Sequence, residues 1–150
     1  MEQTLILLKP DAVQRGLVGV LLGRLEARGL KIVGLRLLQM ERDLAEKHYG
    51  VHRERPFFKG LVDFITAGPI VAVVLEGKNA VDAVRLTMGA TDPAKAAPGT
   101  IRGDFGIDIG RNLIHGSDSQ ENAAHEIEIF FGSSSVPGYT RATDEWITEA

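Results

Sequence analysis

The seven residues IVAVVLE at positions 70–76 are the clearest strand signal in this sequence. The segment is short, apolar and rich in β-branched side chains, and a Gly-Pro pair interrupts the chain just before it, so a buried strand is predicted. Working outward, the aliphatic run 4–9 is closed by a proline, residues 31–40 alternate apolar and polar side chains, and residues 113–114 regain strand character. The sequence therefore predicts four strands.

Apolar residues at helical spacing fill the intervals between these strands. The predicted helices run from residue 18 to Gly29, from a cap at Asp43 to Tyr49, from Pro56 in a first turn to Ile65, from a cap at Asn79 to Met88, and from residues 117–119 to Gly132. At the last start, Ser117 with Gln120, or Asp118 with Glu121, has capping-box spacing. When the short helices that lie outside the βαβ units are left out, the order of elements is βαββαβ, which is the ferredoxin-like plan. We therefore predict an α+β fold, an α/β sandwich in which helices cover an antiparallel sheet.

Residues 89–112 read GATDPAKAAPGTIRGDFGIDIGRN and are rich in glycine and proline. Loops longer than about 12–15 residues in compact domains are usually functional or disordered. Four apolar side chains favour a packed, ordered loop here, namely Ile101, Phe105, Ile107 and Ile109. A long structured loop is predicted over this segment.

The composition fits one globular domain. The chain has 150 residues, of which 44% are hydrophobic and 25% charged, and it shows no linker or repeat, so a single domain over residues 1–150 is predicted. A C-terminal tail carrying Tyr139 and Trp146 follows the last helix. The absence of cysteine excludes disulfides, thiolate zinc sites and a cysteine nucleophile.

Charge and hydropathy limit the cellular location and the classes of partner that the sequence allows. The formal net charge of −3 argues against a dedicated nucleic-acid binder. The longest aliphatic run, residues 70–75, is far shorter than the ~20 residues that cross a bilayer. Glu2 stands where a signal peptide would carry bases. We therefore expect a cytoplasmic protein with no membrane segment.

The segment NLIHGSDS at positions 112–119 is the main candidate for chemistry, because phosphate-binding glycine loops, a zinc H-E-x-x-H site and a nucleophile elbow are all missing. If Leu113 points inward, the period of two puts His115 on the same, partly enclosed face. Glu126 lies about two helical turns after Ser119 and can face back toward the ring. A carboxylate that accepts from one ring nitrogen leaves the other free as a nucleophile. A histidine in this position can equally be an ordinary hydrogen-bonded side chain near a helix start.

Polar side chains elsewhere could form a phosphate site around this histidine. The candidates are Lys9, Arg85, Thr91 and Arg102. In a split βαβ sheet the first and last strands can be neighbours, which would bring Lys9 close to His115. Arginines bind phosphates bidentately, although any single arginine is as readily a solvated surface charge. Phe57 and Phe58, at a helix start, are either core residues or a stacking surface for a base.

Four segments match the nucleoside diphosphate kinase family in order: KPDAVQRGLVG at 9–19, RPFFKGLV at 55–62, TDPAKAAPGTIRGDFG at 91–106 and GRNLIHGSDS at 110–119. The sequence resembles this family over essentially its whole length, and residues 112–119 are similar to the family's active-site signature. The resemblance implies transfer of the terminal phosphoryl group of a nucleoside triphosphate, mainly ATP, to nucleoside diphosphates. The implied mechanism is ping-pong through a phosphohistidine at His115, and it maintains the pools of NTP and dNTP.

The resemblance also implies roles for individual residues. His115 would be phosphorylated on Nδ1, with Ser117 and Glu126 orienting it, and Lys9 and Tyr49 are the other implied catalytic residues. The implied nucleotide-binding residues are Lys9, Phe57, Leu61, Arg85, Thr91, Arg102 and Asn112. In that set Phe57 would stack on the base beside Leu61, while Lys9 and Asn112 would reach the ribose.

Further expectations follow from the same resemblance. Mg²⁺ would be the cofactor, held mainly by the nucleotide phosphates and by no direct protein ligand. The loop 91–111 would lie on the nucleotide side and build subunit contacts. The tail 133–150 is similar to that of hexameric relatives, so a homo-hexamer is expected, with a tetramer as the alternative. The other explanation of the tail is that Trp146 packs only on its own subunit.

The competing function is a non-catalytic nucleotide- or nucleic-acid-binding regulator on the same fold. Against RNA binding, the central strands lack the aromatic residues of an RNA-binding sheet.

Overall fold

The fold is built on a four-stranded antiparallel sheet. The computed structural model describes residues 1–132 and 136–149, and its strands are β1 (Glu2–Leu8), β2 (Lys31–Leu38), β3 (Ile70–Gly77) and β4 (Ile114–Gly116). Their order across the sheet is β2-β3-β1-β4, so β1 and β3 lie in the centre. β1 and β3 pair in antiparallel orientation, with Glu2 opposite Gly77 at one end and Leu8 opposite Val71 at the other. The predicted α+β plan with an antiparallel sheet is confirmed.

Helices cover both faces of the sheet in the described part of the chain. Their bounds are α1 (Pro10–Gln14), α2 (Val18–Ala27), α3 (Arg42–His48), α4 (Phe58–Ile65), α5 (Ala80–Met88), α6 (Ile101–Phe105) and α7 (Gln120–Phe131). Short 3-10 turns lie at Gly50–His52, Pro93–Lys95, Ile109–Arg111 and Asp144–Trp146. No helix in these ranges combines the length and the hydrophobicity needed to cross a membrane.

The two central strands supply a core on each side of the sheet because successive side chains point to opposite faces. Ile6 and Leu8 of β1 belong to the core that includes Leu21 of α2. Leu5 and Leu7 belong to the other core, which includes Phe130 of α7. Burial on both faces explains why these strands read as continuous apolar runs rather than as alternating ones.

Several predicted helix starts are wrong by one or two residues. The helix expected from a cap at Asp43 begins at Arg42, with Glu41 at the cap position. Pro56 precedes α4 rather than lying in its first turn, because Phe57 occupies the cap position. Asn79 is at the cap position of α5 as predicted, but its φ is 51° and its side chain makes no capping hydrogen bond.

Neither predicted capping box forms at α7. The cap is Ser119, whose hydroxyl accepts a hydrogen bond from the backbone N–H of Asn122 at 3.0 Å. Ser117 lies before the helix and donates instead to Glu126. The first turn of α7 is therefore fixed two residues later than the Ser117 box would place it.

The long segment 89–112 is ordered around the short helix α6. Thr100 caps this helix by accepting from the backbone N–H of Gly103 at 3.0 Å, and Ile101 is fully buried. Ile107 and Ile109 are exposed, so the expectation that they pack within the loop is wrong for this chain.

The C-terminal tail returns along the sheet edge. Within its described part, the hydroxyl of Tyr139 donates to the carbonyl of Ile32 in β2. Trp146 is 83% exposed, so it does not pack on its own subunit. The expected tail spans 133–150, of which residues 133–135 and 150 lie outside the described residues.

Candidate active site

His115 occupies the middle of the short edge strand β4, opposite Leu7 of β1. Its neighbours Ile114 and Gly116 are buried, whereas the His115 side chain is 26% exposed. The alternation places the imidazole on the opposite face from Ile114. The ring is therefore partly enclosed and still open to a ligand.

Leu113, just before this strand, has a strained backbone conformation. Its φ is +74°, in the left-handed region that non-glycine residues seldom adopt. Its N–H donates to the carboxylate of Asp11 at 3.0 Å, and its carbonyl accepts from the N–H of Lys9 at 2.9 Å. Contacts on both sides of the residue hold this conformation, which positions Asn112 before it and the strand β4 with His115 after it. Backbone strain that surrounding contacts maintain is typical of functional sites.

The carboxylate of Glu126 holds His115 in one orientation. Nε2 of His115 lies 3.0 Å and 3.1 Å from the two carboxylate oxygens, and the Ser117 hydroxyl donates to the same carboxylate. Burial would raise the pKa of Glu126, but the hydrogen bonds and charge of His115, with the hydrogen bond from Ser117, outweigh it and lower the pKa. An ionised carboxylate only accepts, so Nε2 carries the hydrogen and Nδ1 keeps its lone pair.

His48, at the end of α3, is a member of this cluster that the sequence did not reveal. Its ring lies edge-on to His115 with centroids 4.8 Å apart, and its Nδ1 is 3.8 Å from Glu126. The side chain is 2% exposed, and neither ring nitrogen has a hydrogen-bond partner among the described residues. Burial, followed by the charge of His115, lowers the pKa of His48 to about 3. The only sequence signal was its place beside Tyr49, a predicted site residue.

Tyr49 comes into the same cluster. Its ring lies 4.7 Å from that of His48, centroid to centroid. Burial, together with the negative charge of Glu126, raises the pKa of Tyr49 to about 12. The phenol is therefore protonated at neutral pH and can donate a hydrogen bond.

Lys9 lies just after β1, on the cationic side of the site. Its Nζ donates to the side-chain oxygen of Asn112 at 2.7 Å, and the amide nitrogen of Asn112 donates to the carbonyl of Thr91 at 2.9 Å. Burial, followed by the charge of Arg102, lowers the pKa of Lys9 to about 8. A cation whose pKa is lowered in this way favours a nearby anion.

Two arginines brace the strand that carries His115. Arg102 of α6 is buried and donates to the carbonyls of Gly89, Asn112 and Ile114. Burial, followed by the charge of Arg85, lowers the pKa of Arg102 to about 10. Arg85 of α5 donates to the carbonyl of Gly116 at 3.1 Å. Arg102 is therefore not the solvated surface charge that the sequence left open.

Phe57 and Leu61 are not joined to this network by a hydrogen bond or ring contact in the described ranges. Phe57 is 50% exposed and lies 5.4 Å from the ring of His52, whereas Phe58 packs against the core. Phe57 and Leu61 are four residues apart at the start of α4 and share one face. The structure thus makes Phe58 the core residue and leaves Phe57 available at the surface.

The donor set suits phosphate oxygens better than a bare hard cation. The carboxylates nearest to His115 and Lys9 are Glu126 and Asp11, and each already accepts a hydrogen bond within the chain. Lys9, Arg85 and Arg102 place positive charge around the strand. Mg²⁺ prefers oxygen ligands and is commonly bound through substrate phosphates. These residues therefore fit a cation that arrives with its phosphates.

Both the sequence and the fold match known proteins. The family model for nucleoside diphosphate kinase matches residues 2–136. A nucleoside diphosphate kinase from Herpetosiphon aurantiacus is 61% identical over 99% of this chain and 100% of its own, and one from Archaeoglobus fulgidus is 56% identical over 99% of each. The structure of a halophilic nucleoside diphosphate kinase from Halobacterium salinarum in complex with CDP has a TM-score of 0.95 and 49% identity, and covers 99% of both chains.

The chain belongs to the nucleoside diphosphate kinase family. The prediction that it is an enzyme, a kinase that transfers phosphoryl groups between nucleotides, is confirmed at the level of the family. The non-catalytic regulator is not favoured.

Proposed function

We propose that this member of the nucleoside diphosphate kinase family moves the terminal phosphoryl group of a nucleoside triphosphate, mainly ATP, to nucleoside diphosphates through a phosphohistidine at His115. The observation that carries the proposal is the contact of Nε2 with Glu126 at 3.0 Å. It leaves Nδ1 as the nitrogen with a lone pair, on a ring that remains partly exposed. The proposed activity would maintain the pools of NTP and dNTP.

The proposed reaction is a double displacement. Nδ1 of His115 attacks the γ-phosphorus in line, the N–P bond forms, and the bond from phosphorus to the bridging oxygen breaks. The diphosphate leaves with that electron pair, and a second diphosphate reverses the step, which gives ping-pong kinetics. Glu126 stabilises the charge that develops on the ring, and Ser117 holds Glu126 in place.

Lys9, Arg85, Arg102 and Thr91 would bind the phosphates. In the transition state, negative charge spreads over the equatorial oxygens, and fixed cations stabilise it without reorganisation. The lowered pKa of Lys9, about 8, supports this role because a bound anion would restore its charge. Mg²⁺ bound to the phosphates would neutralise further charge there, and we assign it no direct protein ligand.

The nucleoside would bind beyond the phosphates. We assign base stacking to Phe57 with Leu61 beside it, and ribose contacts to Lys9 and Asn112. The half-exposed ring of Phe57 supports stacking, which tolerates any base because each has a π-face. The protonated hydroxyl of Tyr49 would donate a hydrogen bond within the site.

We further propose that the enzyme is a homo-oligomer, a hexamer rather than a tetramer. An oligomer is supported by exposed apolar side chains that solvent would otherwise contact, namely Leu35, Leu37, Ile107, Ile109 and Trp146. The choice of six chains over four rests on the tail, which is similar to that of hexameric relatives. A cytoplasmic location stays a prediction from the sequence.

The proposed function is tested by replacing the nucleophile. His115→Ala should abolish labelling by γ-labelled ATP and retain measurable nucleotide binding, whereas the wild type should carry an acid-labile, base-stable label. His125→Ala, an exposed histidine beside Glu126, is the matched control and should label as the wild type does. Equal histidine labelling of the His115→Ala variant would show that the nucleophile is another residue.

A further inference from the structure

His48 is a buried polar side chain that the proposed reaction does not use. Its two ring nitrogens have no hydrogen-bond partner in the described part of the chain, although the side chain is 2% exposed. Burying a polar group without a partner is unfavourable, and no other side chain of the described residues occupies these nitrogens, so they are available to a ligand. Its Nδ1 faces the carboxylate of Glu126 at 3.8 Å.

His48, His115 and Glu126 together have the geometry of a metal site. One ligand atom from each lies within 4.8 Å of the others, and Oε2 of Glu126 lies 3.1 Å from Nε2 of His115 and 3.8 Å from Nδ1 of His48. With Zn–N and Zn–O bonds of about 2.0–2.2 Å, tetrahedral ligand atoms lie roughly 3.3–3.6 Å apart. Small side-chain rotations would bring all three atoms onto one ion.

The ligand types select the metal. Two imidazoles and one carboxylate are the ligand set of zinc sites that keep an open fourth position. Imidazole nitrogen suits Zn²⁺ or Co²⁺, whereas Mg²⁺ prefers oxygen. The partial exposure of His115 provides an entry route from solvent.

We propose that His48, His115 and Glu126 bind a transition-metal ion such as Zn²⁺ and that this ion inhibits phosphoryl transfer. The inhibitory part rests on the proposed function of His115. A metal on Nε2 displaces the hydrogen bond to Glu126, and the ring proton moves through solvent from Nε2 to Nδ1. The neutral ring then has no lone pair on Nδ1, so it is no longer a nucleophile.

The same geometry makes metal binding and phosphorylation compete. In a phosphohistidine bonded at Nδ1, the hydrogen bond from Nε2–H to Glu126 is retained. A metal at Nε2 requires that hydrogen to leave as a proton to solvent, so the phosphoenzyme should bind the ion more weakly than the unphosphorylated protein does. The metal-free protein is thus the active form.

Binding is tested without nucleotide, on the untagged full-length chain, by titration with Co²⁺ and displacement by Zn²⁺. One Co²⁺ per chain should give the visible absorption of a tetrahedral site. Loss of an outer partner already weakens metal affinity by about 10–100-fold, so His48→Gln and Glu126→Gln should each weaken it by at least about 100-fold. His125→Ala and His52→Ala should bind as the wild type does. Wild-type affinity in the Glu126→Gln variant, or no tetrahedral spectrum with the wild type, would overturn the site.

The change of tautomer is measured directly by ¹⁵N NMR of the histidine rings. His115 should carry its proton on Nε2 in the metal-free protein and on Nδ1 with Zn²⁺ bound. An unchanged tautomer in the Zn²⁺ complex refutes the inhibitory mechanism. If Co²⁺ fails to bind while the phosphoenzyme still forms, only this inference is wrong. If Co²⁺ binds but the His115→Ala variant still labels, the proposed function and the inhibitory part of this inference are wrong, and the metal site stands.

Discussion

Glu126 controls which nitrogen of His115 is free. It reaches the ring from the second turn of α7, and both carboxylate oxygens lie within 3.1 Å of Nε2. The contact between Glu126 and His115 was predictable from the sequence, because Glu126 lies about two helical turns after Ser119 on one predicted helix. The partnership of His48 was not predictable, because α3 reaches the site only through tertiary packing.

Replacing Glu126 by glutamine should lower kcat more than it raises KM. A neutral amide accepts a hydrogen bond about half as strong as a carboxylate does, and a loss of about 1.4 kcal/mol in the transition state corresponds to roughly tenfold in rate. Steady-state kinetics with ATP and a nucleoside diphosphate measure this split. Glu128→Gln, on an exposed position of the same helix, is the control. An unchanged kcat in the Glu126 variant would mean that the tautomer does not limit catalysis.

His48 should make the metal-free protein sensitive to mild acid. Its folded-state pKa of about 3 lies below the ordinary 6.5, so the unfolded chain binds more protons between these values and the free energy of unfolding falls as pH drops from 6.5 toward 3. The lowered pKa of Glu126 acts in the same direction, but below its ordinary value of 4.5. Urea unfolding at pH 7 and pH 5 with a chelator therefore isolates His48.

The matched comparison for that measurement is His48→Gln against His125→Gln. Stability of the first variant should depend less on pH than that of the wild type, and the second should match the wild type because its side chain is exposed. Identical pH dependence in all three proteins would show that His48 is protonated equally in both states.

At the scale of elements, α6 fixes the arginine that braces β4. The four strands and the longer helices were predictable because their apolar periodicity is strong, whereas the short helices α1 and α6 and most helix starts were not. Ser117, Asp118 and Ser119 are residue types with similar preference for the N-cap position. The folded structure places Ser119 there. The exposed Ile107 and Ile109 show the same limit, since local sequence cannot say whether a loop side chain packs within its own chain.

Gly103→Ala should distort α6 and weaken nucleotide binding. A Cβ at this position would lie 2.0 Å from the carbonyl oxygen of Ala97, so the backbone must move, and overpacking of this kind costs about 1–3 kcal/mol. Arg102 is adjacent and would shift from the carbonyls of Asn112 and Ile114. Denaturant unfolding and the KM for nucleotide measure both effects.

The control for this variant is Gly60→Ala in α4. A Cβ there meets nothing within 4 Å, and alanine is favoured over glycine in a helix by about 0.5–1 kcal/mol. Its stability should be equal to that of the wild type or higher. Equal stability and KM in the Gly103 and Gly60 variants would contradict the role given to α6.

At the scale of the whole molecule, the sheet is covered on both faces while its β2 edge exposes apolar side chains. Leu35 and Leu37 lie on one face of that edge strand and are more than half exposed, and exposed apolar side chains of this kind favour association. Light scattering coupled to size exclusion should give the mass of six 16.3 kDa chains. A monomer at micromolar concentration would contradict the proposed assembly, and four chains would favour the tetramer.

The most direct test of the account is a pulse and chase through His115. The metal-free protein is incubated with γ-labelled ATP and Mg²⁺, freed of nucleotide, digested to locate the label, and then mixed with unlabelled GDP. Up to one label per chain is expected on Nδ1 of His115, and GDP should remove it as labelled GTP. Label on another residue, or label on His115 that GDP does not remove, would contradict it.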